Sequence, residues 1–231
     1  MSKIRRFINE VPGLNLLAKK IYFGLIQPRM QFKGSQAYWE RRYRDGGDSG
    51  CGSMGELAHF KADYINSFVH DNSVVSVIEL GCGDGMQLSL AEYPSYVGYD
   101  ISEEAVARCQ QSFSQDSTKR FIAGNCDTDV AELAISLDVI YHLVEDDIYL
   151  GYLERLFNAG TRYVIVFSSN TSTQADYQGL HIRHRAFLDD VLQRFKEWRL
   201  IHVEKNPYEY SGNDKTGSFA DFYVFSRGTG G

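Results

Sequence analysis

Apolar residues along this chain fall into two arrangements, short unbroken runs and stripes recurring every third or fourth position. Val74, Val75, Val77, Ile78 and Leu80 form a run of mostly β-branched residues, the pattern of a strand buried on both faces of a parallel sheet. Tyr96-Val97-Gly98-Tyr99, Phe121-Ile122-Ala123 and Tyr163 to Phe167 repeat it, and Leu133 to Leu143 reads as a fourth strand with its exit. The stripes lie between the runs. Leu57 to Val69, with Phe60, Ala62, Tyr64, Ile65 and Phe68, predicts an amphipathic helix covering the first strand. Ala105, Val106, Cys109 and Phe113 predict another, with Ser102 as its N-cap and Glu103 and Glu104 in its first turn. Tyr149, Leu150, Leu153, Leu156 and Phe157 mark a third, and Phe187, Leu188, Val191, Leu192 and Phe195 a fourth. Strands and helices in alternation predict an α/β fold.

The first strand runs into Gly81-Cys82-Gly83-Asp84-Gly85. Three glycines at alternate positions let the backbone turn sharply and approach a ligand with no Cβ in the way. A short helix is expected next, its free N–H groups pointing back over the turn. Asp100 closes the second strand, near the roughly 20-residue offset at which an acid meets the ribose hydroxyls of a nucleoside. A pyrophosphate cofactor would need a third glycine where Met86 stands, which disfavours NAD and FAD.

The strings VIELGCGDG and YVGYDIS resemble the first two motifs of class I S-adenosylmethionine-dependent methyltransferases. The resemblance implies a Rossmann-like, seven-stranded, mostly parallel sheet with helices on both faces and an N-terminal helical cap. Trp198 to Val203 and Phe219 to Phe225 then resemble the family's last two strands, a closing hairpin that includes an antiparallel member. S-adenosyl-L-methionine is the implied cofactor. Carried over by position, Glu79, Gly81, Cys82, Gly83, Asp84 and Gly85 border its methionine part, Asp100 its ribose and Ile101 one adenine face. Asn125 or Asp127 would meet the adenine amino group. SLDVIYHLVEDD resembles the segment in which the fourth strand meets the transferred methyl, which adds Asp138, Tyr141, His142 and Glu145 to the candidates.

Composition narrows the partners. The chain has 231 residues, 43% hydrophobic and 23% charged, which suits one α/β domain with an appendage. The expected division is an N-terminal extension and lid over 1–54, a methyltransferase domain over 55–227 and a tail at 228–231. No apolar run approaches the roughly 18 residues of a spanning helix, and no secretory signal follows Lys3, Arg5 and Arg6, so a cytoplasmic protein is expected. Cys51, Cys82, Cys109 and Cys126 show no CxxC pairing, which favours free thiols over a disulfide framework or a metal site. Net charge is −6, yet residues 1–30 carry six cations against Glu10 alone, so the remaining chain is strongly acidic. That balance argues against a broad nucleic-acid surface and leaves a small-molecule acceptor.

Two N-terminal stretches carry functional expectations. Leu14, Leu17, Ile21, Tyr22 and Leu25 with Lys19 and Lys20 predict a basic amphipathic helix that packs on the domain or a partner, or rests on an anionic membrane. Tyr38-Trp39-Glu40-Arg41-Arg42-Tyr43 and the glycine-rich loop after it read either as a lid over cofactor and acceptor or as an aromatic helix packed on the sheet. His142, His181 and His184 are the candidate bases, with His181 and His184 sharing a face on a helical turn and Arg183 and Arg185 beside them to hold an anion. The lid and HIRHR resemble methyltransferases encoded with bacterial surface-polysaccharide genes, which implies O-methylation of a sugar, nucleotide-sugar or phosphoryl-linked capsule precursor. The alternatives are a protein or tRNA methyltransferase and a non-catalytic S-adenosylmethionine-binding protein.

Overall fold

The computed structural model describes residues 32–174 and 179–228. Seven strands among them form one sheet: β1 (Val77–Leu80), β2 (Tyr96–Asp100), β3 (Lys119–Ala123), β4 (Ala131–Leu137), β5 (Gly160–Ser168), β6 (Trp198–Glu204) and β7 (Asp221–Arg227). Their order is β3-β2-β1-β4-β5-β7-β6, and β7 runs antiparallel to both of its neighbours. The other pairings are parallel, with Ile78 opposite Val97 on one side and Ala134 on the other. Order reverses between β1 and β4, which opens a crevice beyond their carboxyl ends.

Both faces of the sheet are covered. Ile65 and Val69 of α2 (Gly55–Asp71) and Val106 and Cys109 of α3 (Glu103–Ser112) pack with Val77, Leu133 and Ile135. Leu153, Leu156 and Phe157 of α4 (Asp146–Ala159) and Phe187 and Val191 of α5 (Phe187–Arg194) pack with Ile78, Ala134 and Phe225. Burying side chains of this size stabilises by roughly 1.5–3 kcal/mol each, so the alternation of runs and stripes is what closes the two layers. Ser102 caps α3 as expected, its Oγ accepting from Ala105 N at 3.3 Å.

Three expectations need correction. The first strand starts at Val77, because Val74 N donates to Val69 O as the chain leaves α2, and Val75 is exposed with its N–H on Glu132 Oε2. The segment after the glycine loop holds only a 3-10 turn, Leu88–Leu90. Asn66 on α2 donates to Leu90 O and accepts from Glu92 N, which ties this short connector down before Pro94. HIRHR leaves a turn closed by Ile182 N on Gly179 O and then runs on as a strap without helix, with Arg183 N on Tyr141 O and Arg185 O accepting from Thr171 N.

The YWERRY segment lies in α1 (Ser35–Arg44). The basic stripe expected at residues 14–25 and most of the expected tail lie outside the described residues. No described helix is long and apolar enough to cross a membrane.

Candidate active site

A cleft enclosing about 930 Å³, counted out to open water at its mouth, crosses the carboxyl ends of β2, β1 and β4. Asp100, Ile101 and Asn125 line one end, Glu79 and Gly81 to Gly83 the middle, and Asp138, His142 and Trp39 the other. The loop needs its glycines: Gly81 has φ 86°, and a Cβ there would fall 2.5 Å from Val139. Gly83 has φ 58° and donates its N–H to Asp100 Oδ2 at 2.9 Å, while Ser102 N donates to Oδ1 at 2.8 Å. Asp100 is thereby aimed along the cleft and buried, and burial pushes its carboxyl up to about 6 against those two bonds. Glu79 is buried deeper still. Desolvation raises it to about 7, although Tyr96 Oη donates to it at 2.6 Å and Lys61 lies near.

Not all of the expected cofactor residues meet here. Asn125 lines the cleft, whereas Asp127 pairs with Arg155 Nε at 3.0 Å and faces a separate shallow depression. Asp84 turns away to Ser49, and Gly85 packs against Phe113 and Cys109. An acid beside two backbone N–H groups, a polar side chain one strand further and a buried glutamate under a glycine loop suit a nucleoside bearing a polar tail. Among the described residues no group of three or more His, Cys, Asp or Glu is placed to hold a metal.

At the other end Asp138 leaves β4 with φ 61°, a left-handed conformation rare outside glycine and enriched at functional sites. Its Oδ2 accepts from Lys61 Nζ at 2.6 Å and its Oδ1 from Tyr141 Oη at 2.8 Å. Tyr141 does not line the cleft, and burial next to Asp138 raises its phenol well above the usual range, so its hydroxyl stays protonated and donates to Asp138. His142 lines the cleft. Its Nδ1 bonds His181 O at 3.0 Å, and since a carbonyl can only accept, Nδ1 carries the proton and Nε2 keeps its lone pair. Burial lowers His142 to about 4, so the ring is neutral at physiological pH.

The other histidines serve it or pack elsewhere. His181 stacks on Tyr38 at 4.2 Å and on His142 at 5.3 Å, behind the cleft wall. His184 bonds Ser169 Oγ at 2.8 Å through Nδ1 and sits edge-on to Phe219. Arg183 and Arg185, expected to meet an anion, both pair with Asp146 and donate to Val144 O, and Arg185 also donates to Leu143 O. They hold the entrance of α4 in place.

The family described as a methyltransferase domain matches residues 54–214. The chain belongs to that methyltransferase family. No curated protein matches it significantly. Among solved structures it resembles the N-methyltransferase NodS from Bradyrhizobium japonicum WM9 in complex with S-adenosyl-L-homocysteine, with TM-score 0.63 and 12% identity over 84% of this chain and 99% of that one. Magnesium protoporphyrin IX methyltransferase from Synechocystis PCC 6803 with bound S-adenosylmethionine gives TM-score 0.57 and 15% identity over 92% and 96%. The methyltransferase domain of bacterial CtHen1 gives 0.58 and 18% over 75% and 100%. At such identities the likeness is one of fold.

In this methyltransferase the N-terminal segment roofs the cleft and is fastened at both ends. Ser35 donates from N and Oγ to the two oxygens of Glu145, at 2.8 and 2.6 Å, and its Oγ accepts from Val144 N. At the far end Ser49 N and Oγ donate to Asp84, and Tyr43 Oη lies 3.0 Å from Ser49 Oγ. Arg108 on α3 donates to Gly47 O and Tyr43 O. Glu145, Asp84 and Ser49 therefore place the segment, and Trp39, Tyr43, Ser49 and Ser53 bring it to the cleft.

The sequence reading passed over Lys61, Gln87, Tyr152 and the individual part of Trp39, all of which line the cleft. Lys61 carried a usable signal. It falls inside the buried stripe Leu57, Ala58, Ala62, Ile65 of α2, where a solvated lysine does not belong.

Proposed function

We propose that this methyltransferase moves the methyl group of S-adenosylmethionine to a hydroxyl of a small polar acceptor, a sugar or sugar-linked precursor of a surface polysaccharide. S-adenosylmethionine supplies an electrophilic methyl carbon on a sulfonium. Asp100 and Asn125 would hold its nucleoside, and Glu79 with the loop 81–83 its amino-acid end. The protein's own work at the reacting end is to hold the acceptor oxygen in line and take its proton.

His142 carries the reading. It is neutral, its protonated nitrogen is committed to His181 O, and its lone-pair nitrogen belongs to the ring that walls the cleft beside Asp138. An amine acceptor, once neutral, is its own nucleophile; a hydroxyl needs a base, and burial that makes His142 a weaker base than free imidazole also keeps its lone pair free of a proton throughout the physiological range. Trp39 lies beside it in edge-to-face contact, ring centroids 4.8 Å apart, and adds an apolar surface to the same cleft wall suited to the face of a sugar ring. With Arg183 and Arg185 occupied by Asp146, the reacting end is lined by neutral groups and the Lys61–Asp138 ion pair, which leaves no unpaired cation there and favours a sugar hydroxyl over a phosphoryl group.

The test is incubation with isotope-labelled S-adenosylmethionine and sugar, nucleotide-sugar and polysaccharide-precursor pools, followed by mass spectrometry of the labelled product. An O-methyl ether on a sugar is expected. His142→Ala should then lower turnover by about a hundredfold or more while donor affinity holds. Label in protein or RNA, or none from any pool, would refute the acceptor assignment; normal turnover in His142→Ala would refute the base.

A further inference from the structure

The His142 ring is held on more sides than its one hydrogen bond accounts for. Nδ1 on His181 O pins the ring at one point and leaves it free to turn about that bond, which would swing the Nε2 lone pair away from an acceptor. Other rings stop the turn. Those of Tyr38 and His181 lie parallel within 7° at 4.2 Å, and those of His181 and His142 within 14° at 5.3 Å. Trp39 meets the His142 ring edge to face, at 74°. Tyr38 and Trp39, neighbours in sequence, thus reach His142 by two routes, Tyr38 through the strap residue His181 and Trp39 directly.

Both belong to α1, and α1 is seated one turn earlier. Ser35 bonds both oxygens of Glu145, and Ser35 and Tyr38 are three apart, on one face of the helix. Gly34 has φ 105°, and a Cβ there would fall 2.8 Å from Glu145 Oε1, so glycine lets the start of α1 lie against the N-cap of α4. Tyr38 itself does not line the cleft. We propose that Tyr38 is a positioning residue for the methyl transfer: through the His181 ring it sets the plane of the His142 imidazole, and so the direction of the lone pair that meets the acceptor hydroxyl. The assignment rests on His142 being the base.

The same packing governs the proton of His142. Desolvation is the largest influence; the bond to His181 O and the charge of Asp138 beyond β4 oppose it, Arg42 of α1 and His184 of the strap add to it, and Tyr141 beside the ring stays protonated. A loosened stack lets water reach the ring, so its value should rise from about 4 toward the ordinary 6.5.

Ring-nitrogen NMR of protein carrying isotope-labelled histidine tests this without an acceptor, the His142 signals being identified by their loss in His142→Ala. Wild type should show one neutral tautomer with the proton on Nδ1, down to about pH 5. In Tyr38→Leu both tautomers should appear, and the ring should take up its second proton nearer 6.5. Turnover, read as release of S-adenosyl-L-homocysteine from S-adenosylmethionine with the nucleotide-sugar pool, should fall about threefold to tenfold, the range for losing an aromatic pair. Calorimetric affinity for S-adenosyl-L-homocysteine should change by no more than about twofold. Tyr38→Phe keeps the ring and drops the hydroxyl that reaches Arg42, and it should match wild type in every readout. An unchanged tautomer and titration in Tyr38→Leu would overturn the positioning role. So would an equal loss in Tyr38→Phe, or a fall in donor affinity as large as that in turnover. A loosened ring with normal turnover would refute His142 as the base while leaving the stack in place, and the positioning role would fall with the base.

Discussion

Replacing Glu79 by Gln exchanges one oxygen for an amide nitrogen at nearly constant volume, and it removes a charge that the fold holds at a cost. The carboxyl lies buried at the end of β1, and burial raises it from the ordinary 4.5 to about 7. Between those two values the native protein keeps a proton that the unfolded chain has released, so stability falls as pH rises through the window and the full cost is present above about pH 7. A shift of this size corresponds to about 3 kcal/mol, at 1.36 kcal/mol per unit. Glu79→Gln escapes it. Tyr96 Oη can still donate to the remaining oxygen of the new side chain, so little is lost in exchange.

The variant should therefore melt above wild type at pH 8, by roughly 5–10 °C for a chain of this length, with the gain shrinking to nothing below about pH 4.5. Differential scanning calorimetry of both proteins across that range is the assay. The same substitution should weaken donor binding at pH 8, since an anion beneath the glycine loop attracts the donor's positive charges; this is the trade of stability for function expected of a strained site. No gain at pH 8, or an equal gain at pH 4.5 and pH 8, would show that the buried carboxyl is not what the fold strains against.

Other consequences can be checked directly. Asp100→Ala should weaken S-adenosyl-L-homocysteine binding by roughly 1.5–3 kcal/mol for each ribose hydroxyl bond lost, read by calorimetry, and unchanged affinity would remove Asp100 from the site. Gly83→Ala should unseat the lid, because the new Cβ would fall 2.3 Å from Ser49 Oγ and 2.9 Å from Tyr43 Oη; faster proteolysis of the loop 45–55 would report it. Amide exchange over α1 and that loop should slow when donor and acceptor bind, since its glycines are costly to order without ligand contacts. Equal protection with and without ligand would return the segment to a packing role.

What could be read in the chain divides by the range of the forces involved. β1, the glycine turn and Asp100 follow from local pattern, and Ser102 before two glutamates announced its cap. The closing β6–β7 pair was placed by resemblance to the family and lies within a few residues of expectation. The errors occur where a distant side chain settles a local ambiguity. Nothing near Leu88 says that Asn66 will catch Leu90 and Glu92 just beyond it, so a short helix was a fair expectation there. His181 and His184, three apart, suit a helical turn until Tyr141 O and Thr171 N take the strap's backbone groups. Asn125 and Asp127 are indistinguishable by position, and the pairing of Arg155 with Asp127 is what separates them.

The charged residues at the carboxyl edge show how the structure sorts function from support. Glu145, Arg183 and Arg185 were among the candidates in the sequence, and the fold takes up each: Glu145 bonds Ser35, and both arginines pair with Asp146. Hydrogen-bond capacity already spent on the fold cannot also select a substrate without breaking what it supports, and a charge-assisted bond costs roughly 1.5–3 kcal/mol to give up. Among the described groups that keep hydrogen-bond capacity facing the cleft, besides Asp100, Asn125 and Glu79, are the lone pair of His142, the Lys61 ammonium beyond its bond to Asp138, the orphan oxygen of Gln87 and the outward side of Asp138. They fall into two places, Lys61 and Gln87 beside the glycine loop and His142 with Asp138 beyond β4, and Lys61 bridges the two by holding Asp138 in place. One buried ion pair thus stands between the two places, and the loop comes so near it that a Cβ on Gly52 would lie 2.9 Å from Asp138 Oδ2 and 3.9 Å from Lys61 Nζ.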